Sequence, residues 1–208
     1  MSDEDFAIEP IQGLPEELPE GEEILWQGRP HAWALARDSL NMYWVMGWFV
    51  VLGIWRVIAL SDLVPLSQAL FAGSMFLVIG LVACSILWLI AFIQARLSVY
   101  TITTSRVAMR IGAALTLNLN IPFSKVANAS LHLRRDGSGT IALEPMPGQL
   151  RLSFLMLWPH ARPWSSMTQP AMRSIPNAQA VARILADAAD TRVSEPVISR
   201  GVDPVPAE

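Results

Sequence analysis

Two long apolar stretches constrain this chain more than any other feature of its sequence. The first covers Leu40–Leu60 and carries one charged residue, Arg56, whereas the second covers Leu70–Ile93 and carries none. A helix rises about 1.5 Å per residue, so about 20 residues cross a hydrocarbon layer about 30 Å thick. Only a helix satisfies every backbone amide inside lipid, so both stretches are predicted to be membrane-spanning helices. The short link Ser61–Ala69 makes them a hairpin.

Basic residues near the helix ends predict the orientation of this hairpin. Arg29 and Arg37 precede the first helix. Arg96 follows the second, whereas the link carries one acid, Asp62. The positive-inside rule therefore places both termini in the cytoplasm and the link on the other side of the membrane.

A row of small residues on the second helix predicts close helix packing. Gly73 and Gly80 stand seven residues apart, in register with Leu77 and Cys84. Small residues on one face let two helix backbones approach each other. The row packs against the first helix in one interpretation and receives a helix of another protein in the alternative.

Charge is distributed very unevenly along the chain. Residues 1–23 contain nine acids and no base, whereas residues 96–173 contain nine basic residues and two acids. A basic domain directly after a membrane helix faces an anionic inner leaflet. In one interpretation, the basic charge of this domain only extends the positive-inside bias. In the other, the domain binds anionic lipid or an acidic partner. No nucleic-acid-binding motif accompanies the basic residues, so we expect no nucleic acid partner.

The N-terminal flank, residues 1–39, is acidic and contains several prolines. Its run from Glu22 to Gly28 alternates in polarity and predicts a short strand that docks on the C-terminal domain. Ala32–Asp38 is expected to approach the first helix along the membrane interface.

The C-terminal flank, residues 96–192, changes to the period of β-strands. Asp136–Gly139 (DGSG) predicts a hairpin turn, Pro159–Pro176 an irregular segment, and Pro176–Arg192 an amphipathic helix. The tail 193–208 is expected to be disordered. Strands are predicted after Arg96 and over Val107–Ile111, Ala114–Leu119, Val126–Arg134, Thr140–Glu144 and Leu150–Trp158. The expected fold class is an α+β membrane protein: a transmembrane hairpin (40–60, 70–93) followed by an antiparallel pleckstrin-homology-like β-barrel, which the C-terminal helix caps.

No pattern in the sequence indicates a catalytic or cofactor site. His31, His132 and His160 lie far apart, and none has a metal-ligating neighbour at helical spacing. The single cysteine, Cys84, lies inside the second apolar stretch, and no phosphate loop or nucleophile elbow occurs. We therefore expect no enzyme activity, no metal and no cofactor.

Candidate contact residues fall into three groups. The sequence WPHARPW predicts a rigid aromatic loop that packs on the domain or contacts a partner, because tryptophan and arginine anchor interfaces. The arginine pair before the turn points to anionic headgroups or an acidic partner. With the two glycines of the hairpin, the candidates for partner or lipid contact are Arg134, Arg135, Trp158, His160, Trp164, Gly73 and Gly80.

Several sequence blocks resemble a known family. Tyr100, Thr103 and Arg106 match the Y-x-[IL]-T-x-x-R strand that follows the last membrane helix in bacterial membrane-anchored pleckstrin-homology proteins. Over residues 8–192 the chain is similar to the photosynthetic complex assembly proteins of purple phototrophic bacteria. The blocks that carry this resemblance are EPIQGLPEELPEGEEILWQGRP, RVAMRIGAALTLNLNIPFSKV, LRRDGSGTIALE and LSFLMLWPHARPW.

The resemblance implies a non-enzymatic assembly factor of the intracytoplasmic membrane. Its expected partners are subunits or assembly intermediates of the reaction centre and light-harvesting complex 1, together with membrane lipids. Its helices and strand edges also suit a homodimer. The alternative is a lipid-sensing, membrane-anchored module with no photosynthetic role.

Overall fold

The computed structural model describes residue 14 and residues 18–112, 116–146, 153–162 and 168–194. The strands are β1 (Ile24–Gly28), β2 (Val99–Thr103), β3 (Arg106–Ile111), β4 (Leu117–Pro122), β5 (Val126–Leu133), β6 (Gly139–Pro145) and β7 (Ala171–Ile175). The helices are α1 (Ala32–Asp38), α2 (Met42–Leu60), α3 (Leu66–Leu97), α4 (Phe154–Leu157) and α5 (Ala178–Ser194).

Helices α2 and α3 form the predicted hairpin, and their small residues meet at its seam. A Cβ atom on Gly73 would collide with the Val57 side chain and lie 2.9 Å from the carbonyl oxygen of Gly53. A Cβ atom on Gly80 would lie 2.7 Å from the Cβ of Phe49. The row of small residues is therefore filled by α2 of the same chain.

The second apolar helix is longer than the sequence predicts. It begins at Leu66, directly after Pro65, and ends at Leu97, which gives 32 residues and a length of about 48 Å. Its added first turn follows Pro65, whose missing N–H costs nothing there because the first N–H groups of a helix have no partner within the helix. Its added last turn, Gln94–Leu97, consists of strong helix formers. The predicted link is correspondingly shorter. Over the most apolar 18 residues of each helix, only 6% of α2 and 11% of α3 is buried within the protein. Neither helix is therefore the core helix of a soluble domain.

Helix α1 joins the hairpin to the sheets. Leu35 and Ala36 are fully buried, and they pack against Ala91 and Ala95 of α3. At the other end of α1, the backbone N–H of His31 donates a hydrogen bond of 2.8 Å to the carbonyl of Ser174, in β7. The segment expected to approach the membrane interface is thus a short helix held between α3 and β7.

Strand β1 lies before the hairpin in sequence, and its partner β2 lies after it. The two strands pair antiparallel, with Ile24 opposite Thr103 and Gly28 opposite Tyr100. The hairpin is therefore inserted between two neighbouring strands of one sheet. If both helices cross a membrane, the two flanks must lie on the same side of it.

A buried carboxylate strengthens this connection. Oε1 of Glu22 accepts a hydrogen bond of 2.6 Å from the Thr103 hydroxyl and one of 2.8 Å from Nε of Arg106. The Glu22 side chain is 6% exposed. The Thr and Arg of the family-like strand motif therefore fasten the segment before the hairpin to the strand after it.

The strands form two antiparallel sheets rather than one closed barrel. The first has the order β1-β2-β3-β4 and the second the order β5-β6-β7. Helix α5 packs its Val181, Leu185 and Ala188 into the core between them, as the spacing of its apolar residues predicts. The closed barrel expected from the sequence is wrong, because the strand ladders give two separate sheets.

Two local predictions after β6 are also wrong within the described residues. Phe154–Leu157 is the short helix α4, not part of a strand, and only Leu157 of its four residues is buried. Strand β7 lies inside the segment predicted to be irregular. It lacks an alternating pattern because all five of its residues are buried, including Arg173 and Ser174. Trp164 and the tail after Ser194 lie outside the described residues.

The predicted turn between β5 and β6 is confirmed. Oδ1 of Asp136 accepts hydrogen bonds from the backbone N–H of Ser138 at 3.0 Å and from its hydroxyl at 2.6 Å. Gly137 adopts a positive φ of 77°, which glycine tolerates best. The sequence DGSG therefore closes a hairpin.

The packing of the hairpin seam predicts a sharp contrast between two glycines. Replacing Gly73 by Leu should push α2 and α3 apart and destabilise the hairpin by about 1–3 kcal/mol. Gly47→Leu is the matched control, because a Cβ on Gly47 meets nothing within 4 Å. Thermal unfolding of the full chain in mild detergent, followed by circular dichroism, measures both. Equal melting temperatures for the two variants would contradict the assigned seam.

Candidate functional site

Arg134 belongs to an ionic cluster that joins the end of α1 to the β5–β6 turn. Its Nε lies 2.7 Å from Oδ2 of Asp38, whose other oxygen lies 2.7 Å from Nε of Arg37. Nη2 of Arg37 also lies 3.0 Å from Oδ2 of Asp136. The Asp38 side chain is only 7% exposed, whereas that of Arg134 is 40% exposed, so the ion pair is half-buried. Arg134 therefore fastens the sheet to α1, while Arg135 is exposed and has no ion pair in the described ranges.

The charges within the ionic cluster stabilise one another. Hydrogen bonds from Ser138 and Arg37 lower the pKa of Asp136 to about 2. Hydrogen bonds to Asp38 and Asp136 raise the pKa of Arg37. Arg37 and Asp136 are consequently both ionised at neutral pH.

His160 lies in the interior of the domain. Its Nδ1 lies 2.5 Å from the Tyr100 hydroxyl, and its Nε2 lies 3.2 Å from Oγ of Ser98. The side chain is fully buried. Burial, and then the charge of Arg173, lower the pKa of His160 to about 3, so the ring is neutral. The sequence left His160 either packed on the domain or in contact with a partner, and the structure buries it inside the domain.

Trp158 lies on the surface, beside residues that sequence reasoning missed. Phe154, Leu155 and Met156 of α4 are 44%, 83% and 65% exposed, and Trp158 is 43% exposed. These four residues form an apolar patch, which the buried Leu157 anchors to the core. The dense run of apolar residues was the only sign of this patch in the sequence, but such a run predicts a buried strand.

The apolar patch lies near the end of the hairpin. His160 follows Trp158 by two residues and contacts Ser98, which directly follows α3. The backbone N–H of His160 also donates a hydrogen bond of 2.7 Å to the carbonyl of Leu157, at the end of α4. The patch therefore stands on the side of the domain from which α3 emerges.

Arg173, which sequence reasoning also missed, lies between the ionic cluster and the His160 network. Its Nη2 donates a hydrogen bond of 3.0 Å to the carbonyl of Asp38, and its Nη1 donates one of 3.2 Å to the carbonyl of Ala161. Its backbone N–H lies 3.3 Å from the Tyr100 hydroxyl. A lone arginine in the apolar sequence AMRSI was the only signal for it.

The structure thus separates the residues predicted from the sequence. Trp158 and Arg135 are exposed, His160 is internal, and Arg134 pairs with Asp38. Gly73 and Gly80 face α2 within the hairpin. Over the ranges that the structure describes, no three His, Cys, Asp or Glu side chains are grouped as metal ligands would be.

The buried His160 predicts a pH dependence of stability. The His160 ring binds a proton near pH 6.5 in the unfolded chain but only near pH 3 in the folded chain. The contribution of neutral His160 to stability is therefore fully present above pH 6.5 and is lost as the pH falls towards 3. Between pH 7 and pH 5 the free energy of unfolding should fall by about 2 kcal/mol from this residue.

Urea unfolding of the full chain in detergent measures this dependence. His160→Gln should remove that part of the slope, whereas the exposed His132→Gln should keep it. The same slope in both variants would contradict a neutral, buried His160.

Comparisons with known proteins give the family. The bacterial PH domain family matches residues 45–189, from within α2 to within α5. A protein of Rhodobacter capsulatus, described as an uncharacterized 23.7 kDa protein in the puhA 5′ region, is 46% identical over 201 residues. The alignment covers 95% of this chain and 94% of the relative. No solved structure matches. The chain therefore belongs to the bacterial PH domain family.

Proposed function

We propose that this protein is a membrane-anchored assembly factor of the PuhB type, which holds intermediates of the reaction centre and light-harvesting 1 core complex. The observation that carries the proposal is the relative encoded in the puhA 5′ region, which aligns with 95% of this chain. Such a position hints at a photosynthesis-gene context. The sequence blocks described above resemble assembly proteins of that context. The proposed role is binding, not catalysis.

The hairpin is the proposed anchor in the intracytoplasmic membrane. Its outer surfaces are apolar and exposed, and α2 and α3 are long enough to cross a bilayer. Pairing of β1 with β2 supports an even number of crossings, because both flanks build one sheet. Arginines on both flanks favour the cytoplasmic side for the two sheets.

The apolar patch on α4 is the proposed contact surface for a subunit. Exposed aromatic and large aliphatic side chains that cluster on one surface mark protein interaction sites. Leu155 is 83% exposed, and Arg135 supplies an exposed cation elsewhere on the same domain. The position of the patch beside the end of α3 suits a partner that is itself inserted in the membrane.

The alternative function, a lipid-sensing module with no photosynthetic role, rests on the family fold and its basic charge. It differs from the assembly proposal in one outcome. A lipid sensor leaves the amount of core complex unchanged when it is absent, whereas an assembly factor does not.

Deleting the gene in a phototrophic host should therefore lower the amount of reaction-centre core complex. Near-infrared absorption of isolated membranes measures this amount. A Leu155→Glu variant should restore it several-fold less well than the native gene, because a charge opposes burial of the patch. Leu25→Glu, at a 41% exposed leucine of β1, is the matched control. Normal core complex in the deletion strain would contradict the assembly proposal.

Affinity purification of the full chain from mild detergent gives a second test. Reaction-centre or light-harvesting 1 subunits should copurify with native protein and with Leu25→Glu, but less with Leu155→Glu. Equal recovery with both variants would remove the patch from the proposed interface.

A further inference from the structure

Arg173 carries a buried charge that no carboxylate in the described residues neutralises by direct contact. The residue is 9% exposed, and among the described residues its guanidinium donates to the carbonyls of Asp38 and Ala161. Its Nε is buried without a hydrogen-bond partner. The carboxylate of Asp38 is already bonded to Arg37 and Arg134. Burying a charge without a counter-charge is costly, so this arrangement calls for an anion.

Arg173 lines a cavity of about 240 Å³ on the face of the second sheet opposite α5. Ser130 and His132 of β5 pair with Ala142 and Thr140 of β6, and all four line the cavity. Arg162 completes it, with Nη1 held 3.2 Å from Oγ of Ser130. We call this cavity the arginine pocket. None of the described residues that line it is acidic.

The chemistry of the arginine pocket selects an oxyanion. Planar guanidinium groups donate several fixed hydrogen bonds, which match the oxygens of a phosphate. Hydroxyl groups of Ser130 and Thr140 supply further donors at the pocket wall. The volume is several times that of one water molecule, which takes about 30 Å³.

We propose that the arginine pocket binds the phosphate group of an anionic phospholipid. This inference rests on the proposed membrane anchorage. Its support is position: Arg173 bonds the carbonyl of Asp38, and α2 begins four residues later, at Met42. Trp33 and Tyr43 flank this link with ring centroids 6.4 Å apart, and aromatic pairs of this kind favour the headgroup level. The pocket therefore stands where lipid phosphates lie.

Native mass spectrometry of the full chain in mild detergent tests this proposal. The protein is titrated with phosphatidylglycerol or phosphatidylcholine, and bound lipids are counted. Phosphatidylglycerol should bind with higher affinity. Arg162→Gln and Arg173→Gln should each weaken it about tenfold, because each removes a charge-assisted hydrogen-bonding group.

Matched variants separate the pocket from general charge. Arg183→Gln removes an exposed charge from α5, on the other face of the sheet, and should leave binding unchanged. Arg162→Lys keeps the charge but loses the planar guanidinium, so its affinity should lie between those of the native protein and Arg162→Gln. Arg173 is buried, so Arg173→Gln is the variant that risks not folding. In that case the test relies on Arg162→Gln and on Thr140→Val, which replaces a hydroxyl by a methyl group of similar size.

Each remaining outcome overturns the assignment. Equal affinity for the two lipids, or an equal loss in Arg183→Gln, would exclude the pocket as the lipid site. Displacement of the lipid by inorganic phosphate at equal concentration would assign the pocket to free phosphate. An acidic protein lost from Arg162→Gln, with lipid binding intact, would assign it to a protein partner. Lipid counts are independent of core-complex levels, so failure here differs from failure of the assembly proposal.

Discussion

The pairing of β1 with β2 is the contact on which the rest of the architecture depends. It joins residues on either side of a hairpin of more than fifty residues, and Glu22 bonds to Thr103 and Arg106 to hold the junction. A segment of 39 residues could not build a core alone. By supplying the edge strand of the first sheet, it instead closes a loop whose middle is the apolar hairpin. The helices and the sheets therefore form a single structural unit.

The second connection is polar and lies between α1 and the second sheet. The side chain of Asp38 pairs with Arg37 and Arg134, while its carbonyl accepts from Arg173. His160 fills the neighbouring interior between Ser98 and Tyr100. Buried polar groups of this kind fix the relative position of elements because each broken contact leaves another group unsatisfied. These contacts consequently hold α1 and the strands in one arrangement.

Sequence reasoning reached the elements whose pattern is local. The hairpin follows from apolar length, α5 from a period near 3.6, and β3, β5 and β6 from alternation or turn chemistry. It did not reach β7, because burial of Arg173 depends on carbonyl groups supplied by distant segments. It also misread α4, since one buried leucine, not alternation, positions that helix. Among the candidate contacts, Trp158 is exposed, and its role as a contact stays a prediction. The partners of His160 and Arg134 lie far away in sequence, where local patterns do not reach.

We propose that two crossings leave both flanks on one side of the membrane. Single cysteines at Glu23, Asp62 and Arg135, introduced into a Cys84→Ser background, can be labelled with a membrane-impermeant maleimide in sealed vesicles of known orientation. This two-pass topology predicts that Glu23→Cys and Arg135→Cys react from the same side and that Asp62→Cys reacts from the opposite side. Labelling of Asp62→Cys and Arg135→Cys from one side would contradict it.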